Sequence, residues 1–386
     1  MPDRPLADPP VTSEVRPPDA GTLLYASEGY TTHDRRFIAA ATEQGWRVHV
    51  ARFDGGQRQL DRRPLPTGAA PVEWRGSREP LTEDEPTPFI EAFGELVADL
   101  RPDVVHAGPV PTVAFVAGAA GGAPLVAMSW ASDLLIDIER SPLARTRAAA
   151  ALAGAAEVLV DCRTVADIAV ALGAARNHVT VVPWGVDLSS LPYADAAPEP
   201  DGPTLRLVSL RSFEPIYDLP TLLTAVSRAR RSLGPGRLAL SLAGSGSEHD
   251  ALRALADRLD LTDDLTWLGR VGEDEVPALL AAHDVHVSTS RSDGSSISLL
   301  QAMAVGRPSV VTDLPSNREW VSPGRTGWVF APGDADALAA VLVDLHGRRH
   351  DLNGVALAGR QLVEQQADWQ VNRRRVAETY RRAMAP

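Results

Sequence analysis

The sequence predicts an α/β protein with two doubly wound domains, each a parallel sheet covered by helices, that face each other across a cleft. Short apolar runs of strand length alternate with stretches of helical periodicity twice along the chain, and a polar, Pro-rich segment from Leu188 to Pro203 separates the two series. The 386 residues are enough for two hydrophobic cores. We therefore assign residues 21–190 to a first domain and 203–367 to a second, followed by a basic helix within 368–386.

Composition narrows the class of function. The net charge of −12 argues against nucleic acid as a partner and offers no broad basic surface to anionic lipid. The sequence has no apolar run long enough to cross a membrane, and residues 1–20 lack the apolar core of a signal peptide, so we expect a disordered leader and a cytoplasmic location. The single cysteine, Cys162, excludes an internal disulfide and a cysteine-based metal cluster.

The first domain opens with a strand–helix–strand unit. Its predicted strands are 22–26, 48–51, 103–107, 124–129, 157–161 and 179–182, and its predicted helices include 36–44, 89–100, 113–120 and 164–172. The loop after the first strand contains Gly29, Thr32 and His33, and open α/β sheets bind ligands at this carboxyl end of their strands. His33 is either a base or hydrogen-bonding group for a substrate, or a residue that caps the next helix or faces solvent.

The second domain repeats the alternation. Its predicted strands are 205–210, 238–243, 265–271, 285–290, 308–312 and 327–330, and its predicted helices include 250–259, 297–304 and 334–345. Arg211 directly follows the first of these strands. Its guanidinium group can bind an anion through two parallel hydrogen bonds, or it can pair with Glu214 on the surface.

The segment from His286 to Asp313 reads as strand, tight loop and helix, and the rest of the second domain is organised around it. The loop Ser292-Asp293-Gly294-Ser295-Ser296 supplies a carboxylate, a glycine without a Cβ, and hydroxyl residues suited to cap the following helix. Because a helix start holds unpaired N–H groups and a positive dipole end, we expect an anion to bind there, with phosphate as the first candidate. Gln301 lies two turns further along on roughly the same helix face.

This loop, with Gln301 eight residues after Asp293 and the continuation Ala302-Met303-Ala304-x-Gly306-x-Pro308, resembles the Glu-x7-Glu block of the family-4 retaining glycosyltransferases. Both family glutamates are replaced here, by Asp293 and Gln301. The resemblance implies the GT-B architecture, in which two Rossmann-like domains face a cleft and a C-terminal helix crosses back to the first domain. It also implies transfer of a glycosyl group from a UDP- or GDP-linked sugar to a small-molecule acceptor, with retention of anomeric configuration and without a metal ion or cofactor.

The resemblance extends to other strand ends. Arg211 is placed where the family arginine grips the donor diphosphate, whereas the companion lysine is missing and Tyr217 stands near that point. The turn Trp130-Ala131-Ser132-Asp133 is similar to the His-Gly-Thr-Asp turn of the family. Asp133 then either holds an acceptor hydroxyl or caps the helix that begins at Leu134, and Trp130 either stacks on a sugar ring or belongs to the core.

The candidate site therefore has three parts. The catalytic candidates are Asp293 beside the donor sugar and Arg211 at the diphosphate. The donor-binding candidates are Tyr217, Arg270, Val271, Gly294, Ser295, Ser296, Ile297 and Gln301, with the backbone of Arg270 and Val271 against the base and Gln301 at the ribose. The acceptor-binding candidates are Gly29, Thr32, His33, Trp130 and Asp133. No metal ligand is assigned.

Two other functions stay open at this stage. A nucleotide-sugar 2-epimerase shares the same architecture, and a nucleotide-sugar-binding protein without turnover is suggested by the missing lysine and the two replaced glutamates. The same departures favour an unusual donor or acceptor, such as one in specialised-metabolite or antibiotic assembly. The expected partners are a nucleotide-sugar donor and a small-molecule acceptor, and a homodimer is left open.

Overall fold

The computed structural model describes residues 20–56, 61–81, 85–194 and 203–385. Nearly all of the predicted leader and residues 195–202 of the predicted linker lie outside the described residues. Two parallel sheets with helices on their faces organise the described part of the chain, which confirms the predicted fold class.

The first sheet has seven parallel strands in the spatial order β3-β2-β1-β4-β5-β6-β7. Its strands are β1 (Gly21–Ser27), β2 (Trp46–Arg52), β3 (Ala69–Pro71), β4 (Val104–Gly108), β5 (Leu125–Met128), β6 (Glu157–Val160) and β7 (Val179–Val181). The helices are α1 (Thr32–Glu43), α2 (Thr87–Leu100), α3 (Phe115–Ala120), α4 (Ile138–Arg140), α5 (Pro142–Gly154) and α6 (Arg163–Ala171).

The second sheet has six parallel strands in the order β10-β9-β8-β11-β12-β13. Its strands are β8 (Leu205–Ser209), β9 (Leu238–Ala243), β10 (Leu265–Gly269), β11 (Val285–Ser288), β12 (Ser309–Thr312) and β13 (Gly327–Phe330). The helices are α7 (Leu219–Leu233), α8 (His249–Arg258), α9 (Val276–Ala281), α10 (Ile297–Val305), α11 (Pro315–Arg318), α12 (Ala335–Gly347), α13 (Leu352–Gln366) and α14 (Trp369–Ala383).

Strand order explains where the cleft forms. In each sheet the first strand lies between its successor and a later strand, β1 between β2 and β4, and β8 between β9 and β11. At such a switch point the connections leave in opposite directions, so a crevice opens beyond the carboxyl ends of the two central strands. Arg211 follows β8 and Asp293 follows β11, which places both at the crevice of the second domain.

The last helix, α14, packs on the first domain, as predicted. Trp369, Val376 and Tyr380 are buried in the same apolar cluster as Phe37 and Trp46. The Tyr380 hydroxyl lies 2.7 Å from His106 Nδ1, so its polar end is hydrogen-bonded although the ring is buried. The C-terminal helix is thereby fixed to the first domain rather than to the second.

The chain crosses between the domains twice, and the two crossings lie side by side. The N–H of Val186 donates to the carbonyl of Ala367 at 2.9 Å, and the N–H of Trp369 donates to the carbonyl of Val186 at 3.0 Å. Gly185 has a φ of +65°, and a Cβ there would stand 2.4 Å from the Ala367 carbonyl oxygen. Only glycine allows so close an approach without rearrangement.

Two helix starts differ from the sequence prediction. Helix α1 begins at Thr32 instead of residue 36, because Thr31 and Asp34 form a reciprocal capping box. The predicted helix 113–120 is preceded by a π-helical turn over Val110–Ala114 and becomes α-helical only at Phe115. A second π-helical turn covers Asp133–Asp137. Such turns are uncommon and often lie at functional sites.

Candidate active site

Arg211 is the buried cation of the second domain's crevice. Its Nε donates to the Ser288 hydroxyl at 3.0 Å, and its guanidinium forms an ion pair with Asp293. The guanidinium carbon also lies 4.9 Å from the centre of the Tyr217 ring. Burial lowers the pKa of Arg211 to about 10, so the group stays charged at neutral pH.

Glu214, the alternative ion-pair partner predicted for Arg211, forms hydrogen bonds with Ser247 instead. Glu214 accepts hydrogen bonds from the N–H of Ser247 at 3.0 Å and from its hydroxyl at 2.5 Å. Arg211 and Asp293, which the sequence assigns to neighbouring parts of one site, are instead direct partners. A ligand that needs either group must compete with this pair.

A cavity of about 250 Å³ lies between the two domains at this point. Its walls are Trp130, Ala131, Ser132, Leu135, Ile136 and Arg140 from the first domain, and Ile216, Tyr217, Ser292, Asp293 and Gly294 from the second. The structure therefore brings the predicted residues Trp130, Tyr217, Asp293 and Gly294 to one cavity. Arg211 lies one layer behind Tyr217 and Asp293.

The loop before α10 is pressed against the first domain. A Cβ on Gly294 would stand 2.1 Å from Asp161 Oδ2 and 2.6 Å from the Ala131 Cβ, so no larger residue fits without separating the domains. The N–H of Ser295 donates to Asp161 Oδ2 at 2.6 Å, and its hydroxyl donates to the Asp161 carbonyl at 2.7 Å. One backbone donor of the expected anion site is thus occupied by the protein's own carboxylate.

Burial raises the pKa of Asp161 to about 6, against 3.8 for an ordinary aspartate. The hydrogen bond from Ser295 acts in the other direction, because it stabilises the ionised form. This carboxylate therefore changes charge within the range of pH in which enzymes are commonly assayed.

A second carboxylate bridges the domains, but it belongs to the second domain and accepts hydrogen bonds from the first. Glu319 of the second domain accepts from the N–H groups of Arg163 and Thr164, each at 3.0 Å, at the start of α6 in the first domain. Glu319 thus caps the start of α6, and Asp161 holds the loop that precedes α10. Together the two contacts hold the cleft in a closed arrangement.

Other parts of the loop differ from the sequence prediction. Ser296 occupies the N-cap position of α10 but makes no side-chain cap; its hydroxyl instead lies 3.2 Å from that of Ser298. Ile297 is the first helical residue. Gln301 is partly buried, and its amide makes no hydrogen bond to another described residue.

An aromatic group lines the first-domain side of the cleft. The ring centres of Trp130 and Trp184 are 5.0 Å apart, and that of His33 is 4.4 Å from Trp184 and 6.1 Å from Trp130. His33 Nδ1 is buried and has no hydrogen-bond partner among the described residues. Burial also lowers the pKa of His33 to about 4, so its imidazole is neutral at pH 7. His33 neither caps α1 nor faces open solvent.

Asp133 has an internal role in this structure. It is 1% exposed, and its two carboxylate oxygens accept from the Ser129 hydroxyl at 2.6 Å, the Val110 N–H at 2.8 Å and the Leu134 N–H at 3.0 Å. Burial raises its pKa to about 6. These bonds tie the two π-helical turns together, and contact of Asp133 with an acceptor stays a prediction.

Arg270, Val271, Gly29 and Thr32 are among the predicted residues that do not line the cleft cavity. Arg270 follows β10 and is exposed, and Val271 packs on the apolar cluster beneath α10. Gly29 is buried in the loop after β1, and Thr32 is the first residue of α1. The roles predicted for them stay predictions.

Sequence reasoning did not single out Asp161, Trp184 or Arg140. Asp161 directly follows β6, at the same carboxyl edge as the predicted residues, so its position alone could have suggested it. Trp184 follows β7 by the same rule. Arg140, at the end of α4, has no comparable signal in the sequence.

The fold and the cleft define a two-domain α/β protein of the GT-B class. The chain belongs to glycosyltransferase family 4: the pattern described as "Glycosyltransferase Family 4" matches residues 28–190, and that described as "Glycosyl transferases group 1" matches residues 205–348. Among solved structures, the sucrose-phosphate synthase of Thermosynechococcus elongatus has a TM-score of 0.77 at 17% identity and covers 93% of this chain and 98% of that one. Anabaena HepE, solved with UDP-glucose, has a TM-score of 0.72 at 18% identity over 93% of this chain and 99% of its own.

Curated relatives include enzymes with different named activities. The glycogen synthase of Mycobacterium tuberculosis is 28% identical over 54% of this chain and 49% of its own length, so the chain spans about half of that relative. A D-inositol 3-phosphate glycosyltransferase of Pseudarthrobacter chlorophenolicus is 25% identical over 86% of this chain and 85% of its own length.

The described residues contain neither a metal-binding cluster nor a membrane-spanning helix. Within them, no group of three or more His, Cys, Asp or Glu side chains is arranged to hold a metal ion. Helices long and apolar enough to cross a bilayer are likewise missing from that part of the chain.

Proposed function

We propose that the protein transfers a glycosyl group from a UDP- or GDP-linked sugar to a small-molecule acceptor, with retention of anomeric configuration and without a metal ion. The observation that carries this proposal is the ion pair between the buried Arg211 and Asp293 in the wall of the cleft cavity. A pathway of specialised-metabolite assembly, a cytoplasmic location and a homodimer remain predictions.

On the donor side, Arg211 supplies the charge that a departing diphosphate needs. Its Nε is fixed by Ser288 and its face by Tyr217, so the guanidinium is oriented before a ligand binds. We infer that the diphosphate takes the place of Asp293 on the guanidinium. Since charged groups that are already in place cost little reorganisation during the reaction, this exchange favours departure of the diphosphate.

The released Asp293 then lies beside the donor sugar. Its carboxylate can stabilise the positive charge that develops at the anomeric carbon as the bond to the diphosphate breaks. Gln301, whose amide has no partner among the described residues, is free to accept and donate at the ribose hydroxyls.

On the acceptor side, the first domain offers rings and a neutral imidazole. Trp130 forms part of the cavity wall and can stack on an acceptor ring. His33 Nδ1, buried without a partner among the described residues, can accept a hydrogen bond from the attacking hydroxyl. The bond to the acceptor oxygen forms on the face of the sugar from which the diphosphate departs, and this gives retention.

A panel of nucleotide sugars, read first by thermal shift and then by donor consumption, tests the proposal. We expect one UDP- or GDP-linked sugar to raise the melting temperature, because a ligand that binds only the folded state stabilises it. Consumption should require an acceptor, which separates transfer from epimerisation and from binding without turnover. No response to any nucleotide sugar, or turnover that stops with EDTA and returns with manganese, would contradict it.

A further inference from the structure

A second cavity of about 150 Å³ adjoins the cleft cavity on the first-domain side. It is lined by Pro111, Thr112, Asp137, Arg140, Ser141, Ala144 and Arg147. Arg140 lines both cavities, so the two are contiguous at its side chain. A molecule held in the smaller cavity would therefore extend towards Trp130 and Asp293.

Arg147 is the unusual residue in this cavity. It is only 9% exposed, yet its guanidinium forms neither an ion pair nor a hydrogen bond with any described residue. Its guanidinium packs over the Phe115 ring, whose centre lies 5.3 Å from the guanidinium carbon. Leaving a buried cation without a counter-charge is costly, so a cavity that keeps one is suited to an anion.

The rest of the cavity lining is also mainly positive. Arg140 is exposed and makes no ion pair or hydrogen bond within the described part of the chain. Ser141 caps the 13-residue helix α5 by accepting from the Ala144 N–H at 3.1 Å, so the positive end of that helix faces the cavity. Against these stands one carboxylate in the lining, that of Asp137, which has interactions of its own.

A neighbouring arginine on α5 does have an ion-pair partner, so the lack of such partners on this helix is particular to the arginine of the cavity. Arg145, two residues before Arg147 on the same helix, forms an ion pair with Glu139 at 2.6 Å and is 51% exposed. Carboxylates are plentiful in a chain of net charge −12, yet among the described residues none forms an ion pair with the guanidinium group of Arg140 or Arg147.

We propose that this cavity binds a phosphate group on the acceptor, and hence that the acceptor is a phosphorylated small molecule. A phosphate monoester carries nearly two negative charges and three oxygen acceptors, which suits two guanidinium groups and a helix start. The identification of the acceptor rests on the proposed function, whereas the phosphate site itself does not. The shared Arg140 would direct the remainder of the acceptor into the cleft.

Titration of inorganic phosphate, followed by ³¹P line broadening, tests the site with the full chain saturated with UDP or GDP, whichever binds, so that the donor site is filled. We expect saturable binding that weakens about tenfold or more in Arg147→Met and in Arg140→Gln. Arg145→Gln should bind phosphate like the parent. Arg140→Gln is an exposed change, so it keeps the test valid even if Arg147→Met lowers stability.

Glycerol 3-phosphate and glycerol extend the test from phosphate to acceptor. Glycerol 3-phosphate should displace the bound phosphate, and glycerol should not. The inference is overturned if phosphate does not bind, if both cavity variants bind it like the parent, if Arg145→Gln weakens it equally, or if glycerol 3-phosphate fails to displace it. Failure of both UDP and GDP to bind would contradict the proposed function instead, and the phosphate titration would still report on Arg147.

Discussion

The two faces of the cleft differ in whether their polar groups already have partners within the protein. On the second-domain face, the polar groups already have partners. Arg211 forms an ion pair with Asp293, and the Ser295 N–H donates to Asp161 from across the cleft. On the first-domain face, His33 Nδ1 has no hydrogen-bond partner and the Arg147 guanidinium has no ion-pair partner among the described residues. The comparison suggests that donor binding exchanges existing contacts, whereas acceptor binding fills vacant ones.

The largest expected effect tests the charge of Asp293. Asp293→Asn keeps the size of the side chain but removes the carboxylate beside the developing positive charge, so turnover should fall ~100- to 1,000-fold. Steady-state kinetics at saturating donor would measure it. Asp313→Asn, which removes an aspartate paired with Arg318 near the surface, is the matched control and should turn over like the parent. Parental turnover in Asp293→Asn would remove the catalytic role from this face.

The next effect concerns the carboxylate that bridges the two faces. The pKa of Asp161 is about 6 in the folded protein and 3.8 ordinarily, so its stabilising contribution is complete below about 3.8 and is lost as pH rises through 6. Asparagine resembles the protonated form. Asp161→Asn should therefore exceed the parent in free energy of unfolding by ~3 kcal/mol at pH 7.5, with a difference that shrinks towards pH 4.

Denaturant titration at several values of pH would measure this difference. Asp167→Asn, an exposed change on α6, is the control and should stay within about 0.5 kcal/mol of the parent. A difference between parent and Asp161→Asn that does not vary with pH would show that Asp161 is not the titrating bridge.

The smallest effect separates Gln301 from Asp293 on the same face. Ribose hydroxyls change little between the ground state and the transition state, so Gln301→Ala should weaken donor binding by about tenfold while turnover at saturating donor is kept. Gln301→Glu should bind at least as well as the parent, since it restores an acceptor of similar reach. Loss of turnover in Gln301→Ala with unchanged donor affinity would reverse the two roles.

Regular alternation made the fold predictable. Strands such as β8 and β11 are short apolar runs followed by polar loops, and their carboxyl ends bring Arg211 and Asp293 to one crevice by topology alone. The family resemblance assigned these two residues to the site, together with Tyr217 and Gly294. It also predicted the final basic helix, whose residues Val376 and Tyr380 pack on the first domain.

Contacts between distant segments could not be predicted in the same way. Asp161 and Ser295 are 134 residues apart and meet only because the domains close on each other. The π-helical turn Asp133–Asp137 leaves no periodic signal, and without it Asp133 reads equally well as a substrate ligand or a cap. The Ala-rich helix α5 has little amphipathic pattern, so the burial of Arg147 could not be read from it.

The central claim is that the donor binds to the second-domain face and the acceptor to the first. Calorimetric titration of the nucleotide sugar selected by the panel, into the parent, Arg211→Gln and Trp130→Ala, tests it most directly, with circular dichroism to confirm folding. Arg211→Gln should weaken donor binding about tenfold or more, because a charge-assisted contact is lost, while Trp130→Ala should stay within about twofold of the parent. If Trp130→Ala weakens the donor as much as Arg211→Gln, or if Arg211→Gln binds it like the parent, the division of the cleft is wrong.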